Sequence, residues 1–547
     1  MNKSFLLKIA LVTIMSLLTG IAYFFIASEF FPQINSADST EEKTTDSLTK
    51  KPVLPKQPFL PEASLTQGFK YEVFDTDSIS AGFTFENFSS SNTAKDSLSI
   101  FYFRGSPQRN KPSRGTIPKE PIAVNLDWEF KTGYDTTRTK YGLWGGGAGW
   151  TGQPLVIHWT KEQKKLLRIE DKEFIENDAA LEIIIGSLSG DIYFLNSQTG
   201  KPTRPHLSIG NPIKGTVSVD PRKNGLLYVG QGIQHTERFG AYVFDMFKGT
   251  EVHHINGVDQ QSRRRWGAFD SNPLIDEKSG TVFWPAENGL IYKFSVENNK
   301  SVGRLSKMRY QHPQLSRAGM ESSMVVIDQF GFIADNSGTV MCIDLKTMAP
   351  IWNVSNQDDS DATIAVDTET NGKHYLYTGS EVDFNGPIGI SYFRKLNAIN
   401  GEEIWKVGRE CRSTPILEKT NSGGILSSPV IGKMKGSNLV YCLFSRVDDQ
   451  NRGEFVAIDK STGKEAFSLI LNHYSWSSPA DVYDEEGNIY IFLTDVFGTI
   501  YLLDGITGKV LVKKKTKFLY ESSPVVVNDH IFIASRGNTI LSFKIKN

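Results

Sequence analysis

A chain of 547 residues with 39% hydrophobic and 11% aromatic side chains can bury a large core, which excludes a chain disordered throughout. A formal net charge of -1 leaves no basic excess for phosphate, so a nucleic-acid binder is excluded as well. Cys342, Cys411 and Cys442 are too few, and odd in number, for a disulfide framework, and too far apart for a zinc site.

From the N-terminus, residues 1–8 carry Lys3 and Lys8 and are followed by the uncharged run Ile9 to Ala27. At about 1.5 Å per residue this run spans about 28 Å, close to a hydrocarbon core of about 30 Å. Lysines before it and Glu29 after it place the N-terminus in the cytoplasm and the body outside. A cleaved signal peptide is the competing reading, but Phe25-Ile26-Ala27 puts an aromatic where a cleavage motif takes a small residue. The expectation is a single-pass cell-membrane protein with its body on the extracytoplasmic side. Residues 28–65 are expected to be a disordered linker, since Ser36 to Glu62 is rich in Ser, Thr, Lys and Pro. Residues 66–120 recover aromatics, among them Phe69, Tyr71, Phe101 and Phe103, and are expected to pack on the following domain.

From 121 to 547 one unit recurs. Gly498-Thr499-Ile500-Tyr501-Leu502-Leu503-Asp504 runs into Thr507-Gly508-Lys509, Gly190 to Asn196 into Thr199-Gly200-Lys201, and Gly453 to Asp459 into Thr462-Gly463-Lys464. Each is a half-buried strand entering a tight turn. Weaker copies begin at Gly240, Gly289, Gly338, near Arg394 and at Gly537, about 40 to 60 residues apart, the spacing of propeller blades. Small-residue openings such as Ser427-Ser428-Pro429, Ser477-Ser478-Pro479 and Ser522-Ser523-Pro524 suit a crowded innermost strand. The last repeat lacks its fourth strand, and Leu126 to Lys131 has the pattern to supply it. The expected fold is all-β: an eight-bladed β-propeller of four-stranded antiparallel blades, closed by an N-terminal strand pairing with the C-terminal blade.

Aligned on the innermost-strand proline, Asp270, Glu321, Asp361 and Glu521 share one position, with Trp476 and Lys214 at the same place in other repeats. That register predicts carboxylates around one axial mouth, able to hold a hard cation or cationic ligand. The alternative is that each caps the turn of its own blade. Asp358-Asp359-Ser360-Asp361 lacks the glycine and distant glutamate of an EF-hand loop. Arg263-Arg264-Arg265 reads as solvated surface, and His253 and His254 face opposite ways on a strand. The charged insertion from Lys161 to Asn177 is expected to project, and Cys411 to lie in a connection open to solvent. No nucleophile elbow or catalytic triad is present.

The Asp-or-Asn to Thr-Gly-Lys turns, the outer-strand tryptophans Trp128, Trp352 and Trp405, and the opening Phe103-Arg104-Gly105-Ser106-Pro107-Gln108-Arg109 resemble the pyrroloquinoline-quinone-like propeller superfamily over about residues 100 to 547. The resemblance implies pyrroloquinoline quinone or calcium as cofactors for its dehydrogenases, and envelope assembly for its BamB-like members. The adjacent Cys-Cys pair those dehydrogenases place against the quinone is absent, and Phe467 and Val510 stand where further tryptophans belong. The reading is therefore a membrane-tethered platform binding a protein or envelope polymer rather than an enzyme; the alternative is a quinone- or metal-dependent oxidoreductase using the axial face.

Overall fold

The computed structural model describes residues 58–75, 98–139, 142–149, 151–313, 318–384, 386–416 and 419–547. Eight four-stranded antiparallel units form blades 1 to 8, with innermost strands at Leu155–His158, Ser218–Val219, Leu274–Ile275, Val325–Ile327, Ala365–Thr368, Val430–Ile431, Ala480–Tyr483 and Val525–Val527. Blade 8 has only three strands from the C-terminus and takes its fourth from Ala123–Lys131. That strand lies antiparallel to Thr539–Lys546, with Trp128 opposite Ser542 and Glu129 opposite Leu541. The expected shared blade is therefore present.

Within a blade the second strand is buried on both faces and the outermost is not: Ile489–Thr494 is wholly buried, whereas Val510–Lys515 is mostly exposed. Apolar side chains on the sheet faces meet those of the next blade in eight clusters, one at each blade boundary. The cluster joining Val525 and Phe532 of blade 8 to Val156 and Ile183 of blade 1 completes the ring.

The repeated turn has a second purpose. Asp504 Oδ1 accepts the N–H groups of Ile506 and Thr507 and the Thr507 hydroxyl, which folds the chain back on itself. Gly508 then sits at φ 73°, and a Cβ there would lie 2.4 Å from the Phe467 ring of the preceding blade. Elsewhere a tryptophan fills that place. Trp128, Trp352 and Trp405 lie over Gly200, Gly401 and Gly463, and each indole N–H donates to the carbonyl three residues before that glycine, in Ser197 (2.9 Å), Ala398 (3.2 Å) and Lys460 (2.9 Å). Turn and ring are two halves of one joint between blades.

The small residues at the innermost strands do more than fit a narrow space. Asn272 N donates to Ser323 Oγ and Ser323 N to Thr363 Oγ1, both at 2.8 Å; Ser428 N donates to Ser478 Oγ at 2.9 Å and Ser478 N to Ser523 Oγ at 3.1 Å. Each hydroxyl thereby satisfies a backbone donor of the neighbouring blade where no sheet partner exists.

Two N-terminal pieces lie on the propeller. The expected linker 28–65 is described from Pro58 onward, and there it is docked: Phe59 is buried beside Phe330 and Phe332, and Ser64 bridges to Trp352. Lys70–Phe74 adds a fifth strand to blade 3. Residues 99–117 form a strap across the innermost strands of seven blades. Ile100 bridges to Val156 of blade 1, and the Tyr102 hydroxyl donates to Ile275 O of blade 3. Pro107 O accepts from Val326 N of blade 4, Gln108 O from Val366 N of blade 5, and Asn110 O from Lys433 of blade 6. Ser113 donates to Asp481 of blade 7 and pairs with Val526 of blade 8.

The span expected over Ile9 to Ala27 lies outside the described residues; among those described, no helix is long and apolar enough to cross a membrane. The insertion 161–177 forms two short helices, Lys161–Leu166 and Lys172–Glu176. It does not project, because Phe174 is buried in the core and Lys164 Nζ donates to the carbonyls of Phe174 and Asn177. Cys411 does not lie in an open connection either: it is on the strand Glu403–Arg412 and is buried, like Cys342 and Cys442.

Candidate functional site

Antiparallel strands place every connection from an outermost strand to the next innermost one on a single face, together with the turns between second and third strands. The strap crosses the opposite face. Lys214, Asp270, Glu321, Asp359 and Asp361 lie in the connections, and Glu287 and Glu381 in the turns of blades 3 and 5, so all open on one axial mouth.

Three carboxyl groups, Asp270, Glu287 and Glu321, bring one oxygen each within 4.8 Å of one another. Lys214 is inserted among them: Nζ contacts Asp270 Oδ2 directly and stands 3.4 Å from Glu321 and 3.9 Å from Glu287. Gly232 makes room for this pair, since a Cβ there would lie 2.5 Å from both Asp270 Oδ1 and Lys214 Cδ. Alongside, Asp359, Asp361 and Glu381 form a second triplet within the same 4.8 Å limit, and this one contains no base. Its backbone is knitted together, with Asp361 N donating to Glu381 Oε1 at 3.0 Å and Glu381 N to Asp359 O at 2.8 Å. Asp358 serves differently: its carboxylate accepts the N–H groups of Asp359, Asp383 and Phe384 and caps the loop.

The charge on this wall is unbalanced. Burial raises the Asp270 carboxyl, with Lys214 pulling it back, and burial together with Glu321 holds Glu287 and Asp361 well above the usual carboxylate range. Asp359 and Glu381 are likewise held well up by burial and by Asp361. Burial alone would lower Lys214, but Asp270, Glu321 and Glu287 outweigh it and hold the ammonium well above its ordinary value. Such a wall stores protons or takes up cations.

Three of the four carboxylates expected at the mouth, Asp270, Glu321 and Asp361, thus meet there with Lys214. Glu521 is drawn off: its Oε2 lies 3.1 Å from Arg536 Nε, and that pairing opposes the rise burial imposes. Arg536 and Lys214 both approach the Trp144 ring, at 5.6 Å and 5.9 Å, so the rim continues from blade 8 through Trp144 to the acidic wall. Trp476 packs against Tyr474, over which the Arg446 guanidinium stands at 4.2 Å, in the arc of blades 6 and 7. Glu287 and Glu381 are additional to the expected residues, and Asp359 stands in the sequence only as a member of the Asp358–Asp361 run. Glu287 and Glu381 occupy second-to-third strand turns, and aligning those turns as well as the prolines would have found them.

No protein family and no curated protein matches the chain. Among solved structures it is similar to a quinohemoprotein alcohol dehydrogenase from Pseudomonas putida, at 10% identity and TM-score 0.55, over 82% of this chain and 81% of that one. It also matches BamB from Moraxella catarrhalis (18%, TM-score 0.45, 66% of this chain and 93% of that one) and a europium-containing methanol dehydrogenase (12%, TM-score 0.42, 82% and 98%). The first shows a shared β-propeller fold. Pyrroloquinoline quinone itself carries three carboxylates, which a wall of six carboxyl groups and one already paired ammonium repels; the residues here do not fit it. They do fit a hard cation, which takes oxygen ligands.

Proposed function

We propose, from the premise of that fold, that the chain is a binding propeller whose acidic mouth captures a cationic ligand, and that this face is the platform for a partner protein or envelope polymer. The supporting observation is the excess of six clustered carboxyl groups over a single ammonium. Lys214 acts as a tethered cation for the first triplet, leaving the second, Asp359, Asp361 and Glu381, to take the cation that arrives. Calorimetry with calcium chloride and with spermidine tests this. Wild type is expected to bind one of them saturably, and Asp359→Asn with Asp361→Asn to weaken binding more than about tenfold, as expected for truncated buried charge partners. Equal affinity in the two proteins overturns the site and leaves the fold untouched.

We further propose that the platform is tethered outside the cytoplasm through Ile9 to Ala27, on the strength of the apolar run and its flanking lysines. A reporter enzyme that works only outside the cytoplasm, fused after Ser36, should be active; an intact fusion without activity would sink the topology.

A further inference from the structure

The strap carries two arginines, Arg104 and Arg109, both 0% exposed and both at left-handed φ, 56° and 54°. Their guanidinium groups are treated differently. Arg109 is engaged at every nitrogen: Nε donates to Met324 O (3.1 Å), Nη1 to Phe103 O (3.0 Å) and Asn272 Oδ1 (2.5 Å), and Nη2 to Asn272 O (3.0 Å). An arginine used purely to clip the strap to the blades looks like this. Arg104 makes a single long bond, from Nη2 to Pro429 O at 3.4 Å, and its Nε and Nη1 meet no acceptor in the protein. Ser427 Oγ, two residues before Pro429, is buried and unmatched too.

Among the described residues Arg104 forms neither an ion pair nor a hydrogen bond with any carboxylate, although Asp481 Oδ2 nearby is itself a buried oxygen without a hydrogen-bond donor, 3.6 Å from Lys433 Nζ. The field of Asp481 acts on Arg104, Arg114 and Lys433 alike, and its Oδ1 already accepts from Ser113 Oγ at 2.9 Å. Nor does the backbone at Arg104 have slack, because its N–H donates to Gln153 Oε1 (3.1 Å) and its carbonyl accepts from Lys111 N (2.9 Å). Other arginines also leave a nitrogen unmatched, and Arg394 leaves two, but Arg394 has Glu403 at 3.5 Å, whereas Arg104 is fully buried with no carboxylate paired to it, and a guanidinium so placed calls for a partner. We propose that Arg104 is an anion-recognition residue at the closed end of the axis, and that a small oxyanion, a carboxylate or phosphate group, completes its hydrogen bonding. This site is separate from the acidic mouth and stands whether or not the mouth binds a cation.

The test uses the full chain with bromide, inorganic phosphate and acetate as probes. Wild-type crystals soaked in sodium bromide are expected to show an anomalous peak beside Arg104 Nε and Nη1; water there instead overturns the proposal. By calorimetry at fixed ionic strength, phosphate or acetate is expected to bind one saturable site, and which of them binds distinguishes the two sources. Arg104→Met should weaken that binding more than about tenfold, or 1.4 kcal/mol, and Arg104→Lys, which keeps the charge, should weaken it less. Equal binding by a folded Arg104→Met protein, or no saturable binding of either anion to wild type, refutes the assignment. Should Arg104→Met fail to fold, the bromide arm decides.

Discussion

Glu287 Oε1 and Asp361 Oδ1 are buried oxygens that meet no donor, on side chains already crowded by other carboxyls. Such groups ionise only at a cost, and the direction of the consequence follows from linkage. Asp270, Glu287, Asp359, Asp361 and Glu381 all have folded-state pKa values above their unfolded ones. Their contribution to stability is therefore complete below the unfolded carboxylate range, about pH 4, and is lost as pH rises through the folded values. Lys214, also raised, keeps its contribution until far into alkali and does not alter this window. The cation-free protein should melt at progressively lower temperature as pH is raised from about 4.5 to 8, with calcium reversing the trend most strongly at pH 8. Calorimetric scans across that range check this; a melting temperature that climbs steadily with pH in chelator would contradict it.

Turn and ring between neighbouring blades act as a pair, so they should fail as a pair. Trp405→Ala should destabilise by about 2–4 kcal/mol, and Trp405→Phe, which gives up chiefly the N–H bond to Lys460 O, by about 1 kcal/mol. Gly463→Ala meets both a left-handed φ of 71° and a Cβ 2.7 Å from Trp405 Cγ. The double variant Gly463→Ala with Trp405→Ala should cost less than the two singles together, because the collision disappears and only the backbone strain is left. Denaturant midpoints for the four proteins measure it, and strict additivity would disprove the joint. These turns were legible in the sequence because Asp, Thr and Gly act within a few residues of one another. Their seating of the preceding blade's ring was not, since nothing local shows which ring arrives. Similarly, Ser-Ser-Pro announced an innermost strand by its compactness, while the hydrogen bond each hydroxyl accepts comes from a different blade.

At the scale of the whole molecule, blade number and closure could be read because identical physics is repeated and the strand count at the termini left one gap. Part of the mouth could be read as well, since Asp270, Glu321 and Asp361 share a register that blade symmetry turns into a shared place. Glu521 has the same register but meets Arg536 across its own blade, and nothing local in Phe103 to Arg109 shows that its two arginines are buried. Both outcomes depend on neighbours distant in sequence. The shared blade also dictates a timetable. Ala123–Lys131 leaves the ribosome early, yet its partner Thr539–Lys546 is made roughly 400 residues later, a delay of about 20 to 80 s at ordinary synthesis rates. Throughout that interval a strand with unpaired N–H and C=O groups is on offer to any other chain. Closure of this blade thus waits for its late strand, and a nascent chain that stalls before Thr539–Lys546 is an adhesive one.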